Sequence, residues 1–250
     1  MTGIRELAVL RREQVTPRMA RVVFGGPQAA GFASLTPDDH VKLVFPDPDG
    51  AVRPPTLAAD GETLDWPRPF PPTREYTIRR VDAEAGEVWM DFVVHPGGLA
   101  SDWAMSVEPG ERLWVAGPRP GEPVDERFDR HLLLADHTAL PAVARWLEEL
   151  SPSVSAEVAV LVPDADDEQE LAVRDGVTVT WYHSVDDPGD DVLGRHLESV
   201  ELPDGHQTYL WAAGEAGLLK PVRRWARARG FARGTCDIAG YWRKARTRNL

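Results

Sequence analysis

The chain has one cysteine, Cys236, among 250 residues. That excludes an internal disulfide, a cysteine-held iron–sulfur cluster and a cysteine-rich structural zinc site. Any redox chemistry must then run through a bound organic cofactor or through a metal that arrives as substrate. Long apolar runs are also lacking. Nowhere do eighteen apolar residues follow one another, and Met1 to Arg12 has no apolar stretch of signal-peptide type, so a soluble cytoplasmic protein without an integral membrane segment is expected. There is no GxGxxG fingerprint, no GK[ST] phosphate loop and no Gly-x-Ser hydrolase elbow. His183, His196 and His206 lack ligand spacing and read as ordinary surface or core residues, so no metal site is expected.

Bases are in short supply, with 28 Lys and Arg against 40 Asp and Glu and a net charge of -12. The deficit is uneven: residues 220–250 hold ten bases and one acid, Asp237. An acidic body repels a phosphate backbone, which argues against a nucleic-acid binder, whereas a basic end can draw in a small anion. A solvated helix face is the plainer explanation for most of those arginines.

Two patterns divide the chain. Short apolar or alternating runs at 4–10, 19–24, 41–45, 74–81, 88–95 and 112–116 are separated by Pro, Gly and Asp turns, which predicts a six-stranded antiparallel barrel over residues 1–119. Residues 46–72 read as an irregular excursion. From residue 120 to 250 the rhythm is that of an open parallel α/β sheet, with strands at 131–135, 156–162, 177–182, 208–213 and 235–241. Helices are expected over 138–150, with Thr138 as N-cap, and near 166–173, 190–199 and 217–229.

The stretch Arg74-Glu-Tyr-Thr-Ile-Arg-Arg80 carries the most chemistry. On a strand Arg74 and Tyr76 share one face, Thr77 and Arg79 the other, and a bulge could turn Thr77 toward the same ligand. Guanidinium groups suit a phosphate, a tyrosine ring offers a flat surface, and a threonine hydroxyl can reach a ring heteroatom. An edge strand with solvated arginines would look the same. His95-Pro-Gly-Gly98-Leu-Ala100-Ser101 reads as a strand end opening a helix, where backbone N–H groups and the Ser101 hydroxyl could seat a diphosphate. Trp211-Ala-Ala-Gly214-Glu215-Ala-Gly217 is a second strand end at a sheet's carboxyl edge, where a nicotinamide nucleotide is expected to lie.

The heptad resembles the RxYTxR flavin motif of the siderophore-interacting protein family, FAD-dependent ferric-siderophore reductases related to the ferredoxin-NADP reductases. Asp39–Pro46, Phe92–Arg119 and Tyr209–Arg243 match the same family in the same order. The resemblance implies FAD held by Arg74, Tyr76, Thr77, Arg79, His95, Gly98, Ala100, Ser101 and Thr138, with Gly214 and Glu215 near the nicotinamide. It implies an anionic ferric siderophore held by Lys42, Arg119 and Arg243, with Lys244 and Arg246 adding to the field. The family's usual acid-Glu-Thr-Ala-Leu-Pro stretch reads Asp136-His137-Thr138-Ala139-Leu140-Pro141 here, and His137 reads as a surface residue. The implied activity is reduction of Fe(III) to Fe(II) with electrons from NADH, or from NADPH or a ferredoxin. The acids of Pro163–Asp167 would repel a 2′-phosphate if the ribose lies there, which favours NADH. A flavin reductase for another acceptor, a non-redox siderophore carrier and a contact role for the basic end are the alternatives. No side chain is assigned a catalytic role, and a monomer is expected.

Overall fold

The computed structural model describes residues 3–119, 121, 123, 125, 127–187, 189, 191–202 and 207–244, so His206 and Arg246 lie outside the described residues. The chain separates into two compact units, Met1–Pro123 and Val124–Leu250.

The first unit contains β1 (Gly3–Thr16), β2 (Met19–Gly25), β3 (His40–Val44), β4 (Thr56–Leu57), β5 (Leu64–Asp65), β6 (Thr73–Thr77), β7 (Arg80–Asp82), β8 (Glu87–Val93), α1 (Leu99–Ser106) and β9 (Arg112–Arg119). Seven of these strands form one antiparallel sheet in the order β6-β3-β9-β1-β2-β8-β7, while β4 and β5 pair as a separate hairpin. Alternate side chains such as Leu7, Val22, Phe24, Leu43, Met90 and Phe92 enter a common core with Ala100 and Ala104 of α1. Fully burying one such side chain stabilises the fold by roughly 2 kcal/mol.

Six strands were expected here and the sheet has seven. The run 74–81, expected as one strand, is broken between Thr77 and Arg80. At the break the Ile78 N–H donates to the Asp39 carbonyl and the Arg79 N–H to the Trp89 carbonyl, each at 2.9 Å. Asp39 directly precedes β3, and Trp89 lies in β8. Ile78, fully buried, anchors the step in the core. Because β6 and β7 are the outermost strands of the order, the two residues between them, three Cα–Cα steps or at most about 11 Å of chain, carry the backbone from one edge of the sheet to the other. The sheet must curl strongly to allow it.

The second unit contains β10 (Arg130–Asp136), α2 (Leu140–Glu149), β11 (Ser155–Val162), β12 (Val177–His183), α3 (Val192–Glu198), β13 (Thr208–Glu215), α4 (Leu219–Ala228) and β14 (Cys236–Trp242). Its five strands are all parallel, in the order β12-β11-β10-β13-β14. Leu133, Ala135, Val158 and Trp211 pack with α2, whereas Leu132, Leu134, Leu210 and Ala212 pack with α3 and α4. Both faces are therefore covered, as the unbroken apolar runs of the sequence require. The chain winds outward on either side of β10, which places a topological switch point between β10 and β13.

Two local expectations fail. No helix forms near 166–173: the Asp164 side chain accepts the Asp166 N–H at 3.1 Å and caps a short turn over Ala165–Asp167, Glu168 is extended, and residues 169–173 are irregular. Thr138 is not the N-cap of α2. It lies within the turn His137–Ala139, which Asp136 caps, and α2 itself starts without a side-chain cap at Ala139.

Candidate functional site

In the first unit, register places Tyr76 opposite Val41 and Arg74 opposite Leu43, so both share one face of the β3–β6 pair. The Tyr76 ring lies 4.2 Å from that of Phe92. Burial pushes its hydroxyl up to about 12 against the nearby charge of Arg74, so the phenol is neutral and able to donate at physiological pH. Arg74 is exposed, and its guanidinium donates to its neighbour's carbonyl at Thr73, 2.7 Å away. Thr77 is buried opposite His40, and Arg79 is half-buried in the break between strands. The expected pairing of Thr77 and Arg79 on one strand face does not arise, because the strand ends between them.

At the end of β8, Gly97 adopts φ +75° and Gly98 precedes α1. The His95 ring lies against Gly98 so closely that a Cβ there would be 2.3 Å from His95 Cε1. A side chain at Gly98 would have to push the exposed His95 ring aside. Ser101 is buried, and its hydroxyl donates to the His95 carbonyl and accepts the His95 N–H, each at 2.8 Å. That hydroxyl ties the loop together, whereas a diphosphate contact was expected of it. Ala100 packs in the core.

Lys42 lies opposite Glu75 in the register, its Nζ 3.0 Å from Glu75 Oε1. The same carboxylate oxygen is 4.0 Å from a terminal nitrogen of Arg119. Lys42 Nζ also stands 5.9 Å from the centre of the Trp66 ring and 5.8 Å from that of Phe70, two rings that pack 4.7 Å apart. Two of the three expected substrate cations are thus gathered around one acid. Burial alone would raise the Glu75 carboxyl, but Lys42, His40 and Arg119 together hold it below the ordinary range.

In the second unit the carboxyl ends of β10, β13 and β14 converge on Asp136. Its oxygens accept from Thr138 N–H (2.8 Å), Thr138 Oγ1 (2.6 Å), Glu215 N–H (2.7 Å) and Trp242 Nε1 (2.8 Å). Gly214, at φ +144°, makes room, since a Cβ there would lie 2.6 Å from Asp136 Cγ. Glu215 is buried and accepts the backbone N–H groups of Gly217, Leu218 and Lys244. Burial opposes its charge, yet those three donors hold it below the usual carboxylate range. Thr138, Gly214 and Glu215 therefore meet at the switch point around Asp136, and Glu215 spends its carboxylate on the backbone. Arg243 is exposed just beyond β14. His137 is buried, contrary to the surface position expected of it, because the turn beginning at Asp136 folds it inward.

Residues 8–122 match the sequence model described as "Siderophore-interacting FAD-binding domain", and residues 128–245 match "Siderophore-interacting protein". The chain is 37% identical over 242 residues to the NADPH-dependent ferric-chelate reductase of Escherichia coli, covering 95% of this chain and 92% of that one. The chain belongs to the siderophore-interacting protein family. The ferric vibriobactin reductase ViuB of Vibrio cholerae is 27% identical over 248 residues, covering 97% of this chain and 90% of that one. The crystal structure of a siderophore utilization protein from T. fusca superposes with a TM-score of 0.88 at 41% identity, covering 98% of this chain and 95% of that one.

In this siderophore-interacting protein, sequence reasoning missed three side chains. Asp39 is buried and accepts from Leu35 N–H (2.6 Å), Thr36 N–H (3.2 Å), the Thr36 hydroxyl and Gly121 N–H (2.9 Å), which fixes the entry to β3 against the loop after β9. Burial pushes its carboxyl up, but those donors prevail and hold it low. Asp136 was legible as an Asx turn, an acid at a strand end with threonine two residues on. Glu75 carried no local signal, since its importance arises only from register with Lys42. Among the described residues no cluster of His, Cys, Asp and Glu could hold a metal ion, and no helix is long and apolar enough to cross a membrane.

Proposed function

We propose that this protein is an FAD-dependent reductase of ferric siderophores that draws electrons from NAD(P)H. The carrying observation is the β3–β6 pair: Arg74 and Tyr76 stand on one of its faces, while Lys42, at the next position on β3, meets Arg119 around Glu75. The names of the two reductase relatives support the same activity. In this reading the curled sheet of the first unit serves as a closed barrel whose Tyr76 face and α1 start hold FAD. The residues fit that group: a neutral phenol beside an exposed guanidinium suits a flavin ring and its phosphate, and the Gly97-Gly98 turn leads into a helix N-terminus, where Asp102 now accepts the Gly97 N–H at 3.2 Å.

FAD, when bound, supplies the chemistry of accepting a hydride and releasing electrons singly, which nicotinamide cannot do alone. Arg74 and Arg79 would neutralise the diphosphate, and Tyr76 would donate to the cofactor while shielding it from water. Lys42 and Arg119 would hold an anionic ferric complex, and Arg243, exposed at the end of β14, is proposed as a cation suited to the same class of substrate. The switch point of the second unit, at the carboxyl ends of β10 and β13, would take the nicotinamide nucleotide; Gly214 serves it indirectly, by making room for the Asp136 carboxylate that ties β10 to β13. The acids of the Pro163–Asp167 stretch favour NADH only through Asp164 and Asp166, since Asp167 is fully buried. The reading sets the protein in the cytoplasm as a monomer.

An anaerobic visible spectrum of the FAD-loaded protein tests this. NADH or NADPH should bleach the flavin bands, and a ferric siderophore should restore them as an Fe(II) chelator colours. Protein that binds no flavin yet binds the ferric complex would be a carrier instead.

A further inference from the structure

Lys42 and Arg119 do not present two free positive charges. Glu75 Oε1 is 3.0 Å from Lys42 Nζ and 4.0 Å from Arg119, so a carboxylate oxygen already occupies the position between the two cations. The arrangement is built by the backbone, because Lys42 and Glu75 are directly opposed residues of β3 and β6. It is also open to solvent, with the Glu75 and Arg119 side chains 48% and 64% exposed. Lys42 is held from a second direction by the Trp66–Phe70 ring pair, which fixes the ammonium independently of Glu75. A carboxylate that leaves would therefore not release the lysine.

We infer that Glu75 is a specificity-determining residue: a resident carboxylate that occupies the Lys42–Arg119 pair and that an anionic ferric chelate must displace. This rests on the reading of those cations as the substrate's contacts. The carboxylate sets a charge threshold. A complex with several anionic oxygens replaces it on both cations and gains; a neutral complex has nothing to exchange and meets an already neutralised lysine. Glu75 thereby raises the concentration at which strongly anionic complexes bind and keeps small monocarboxylates off the cations.

The test is binding of redox-inert gallium(III) complexes to the FAD-loaded protein, read by tryptophan fluorescence, beside KM for the matching ferric complexes. A trianionic tris-catecholate is compared with a neutral trihydroxamate. Glu75→Gln, nearly isosteric, should tighten binding of the trianion and lower its KM by about fivefold, with the neutral complex unchanged within error. Glu75→Ala should share the direction, since both remove the charge. If Glu75 only orients Lys42, both variants weaken the trianion, and the inference is overturned; an unchanged trianion overturns it equally. Lys42→Ala separates this from the parent reading. Weakened trianion binding in Lys42→Ala keeps the substrate contact even where Glu75 fails, whereas Lys42→Ala and Arg119→Ala without effect would remove both.

Discussion

Trp242 donates its indole N–H to the buried carboxylate of Asp136 at 2.8 Å, linking residues 106 positions apart. The last strand of the second sheet is thereby fastened to the end of its first. All the groups that meet Asp136 are donors, so an amide in its place turns an N–H₂ toward other N–H groups. Asp136→Asn should destabilise the second unit by about 3 kcal/mol and Trp242→Phe by about 1 kcal/mol. Urea midpoints at unchanged m-value, followed by near-ultraviolet circular dichroism, measure both.

Gly214→Ala attacks the same junction through the backbone. Its φ of +144° is strained for any side chain, and the new methyl would press on Asp136 Cγ. A loss of about 2 kcal/mol or more is expected. Nucleotide affinity, measured by titration, should weaken in parallel. Intact affinity in a folded Gly214→Ala protein would detach this glycine from the proposed nucleotide site.

His131 sits among Phe128, Trp146 and Tyr209, nearly inaccessible to water. Burial lowers its pKa to about 4, Asp125 opposing weakly. The unfolded chain, near 6.5, takes up its proton first as pH falls. Stability is therefore full above about 6.5 and drains as pH falls toward 4, by about 3 kcal/mol in all. His131→Leu should flatten that part of the pH–stability curve while leaving other acid-sensitive groups in place.

Arg74→Ala and Tyr76→Ala should lower the flavin bound per mole of purified protein, read from visible absorbance. Arg243→Ala should keep its flavin and raise KM for an anionic ferric complex several-fold, about the value of one exposed charge contact. Flavin loss in Arg243→Ala would move that residue from the substrate to the cofactor.

The parallel sheet was readable because its central strands β10, β11 and β13 are largely buried on both faces and appear as apolar runs, as in His131 to Ala135. The order of motifs also located Arg74, Tyr76 and Gly98 in the first unit. What escaped was non-local. Glu75 became a partner of Lys42 only through register, and Asp136 gathered Glu215 and Trp242 only after the sheet assembled. The false helix near 166–173 has a local cause, an aspartate side chain that captures the backbone before a helical turn can. The break at Ile78 looked like continuous strand because its composition is β-like, and only the competing partners at Asp39 and Trp89 divide it.

That break also has a mechanical meaning. Arg74 stands on the first edge strand and Arg79 in the seam itself, where the curled sheet passes from its first edge to its last. A ligand gripped by both would act as a clasp across the seam, so cofactor loss should loosen the sheet there first. Amide hydrogen exchange at Ile78 and Arg79 would then quicken on flavin removal, well before the strands on the far side, β1 and β9, lose protection.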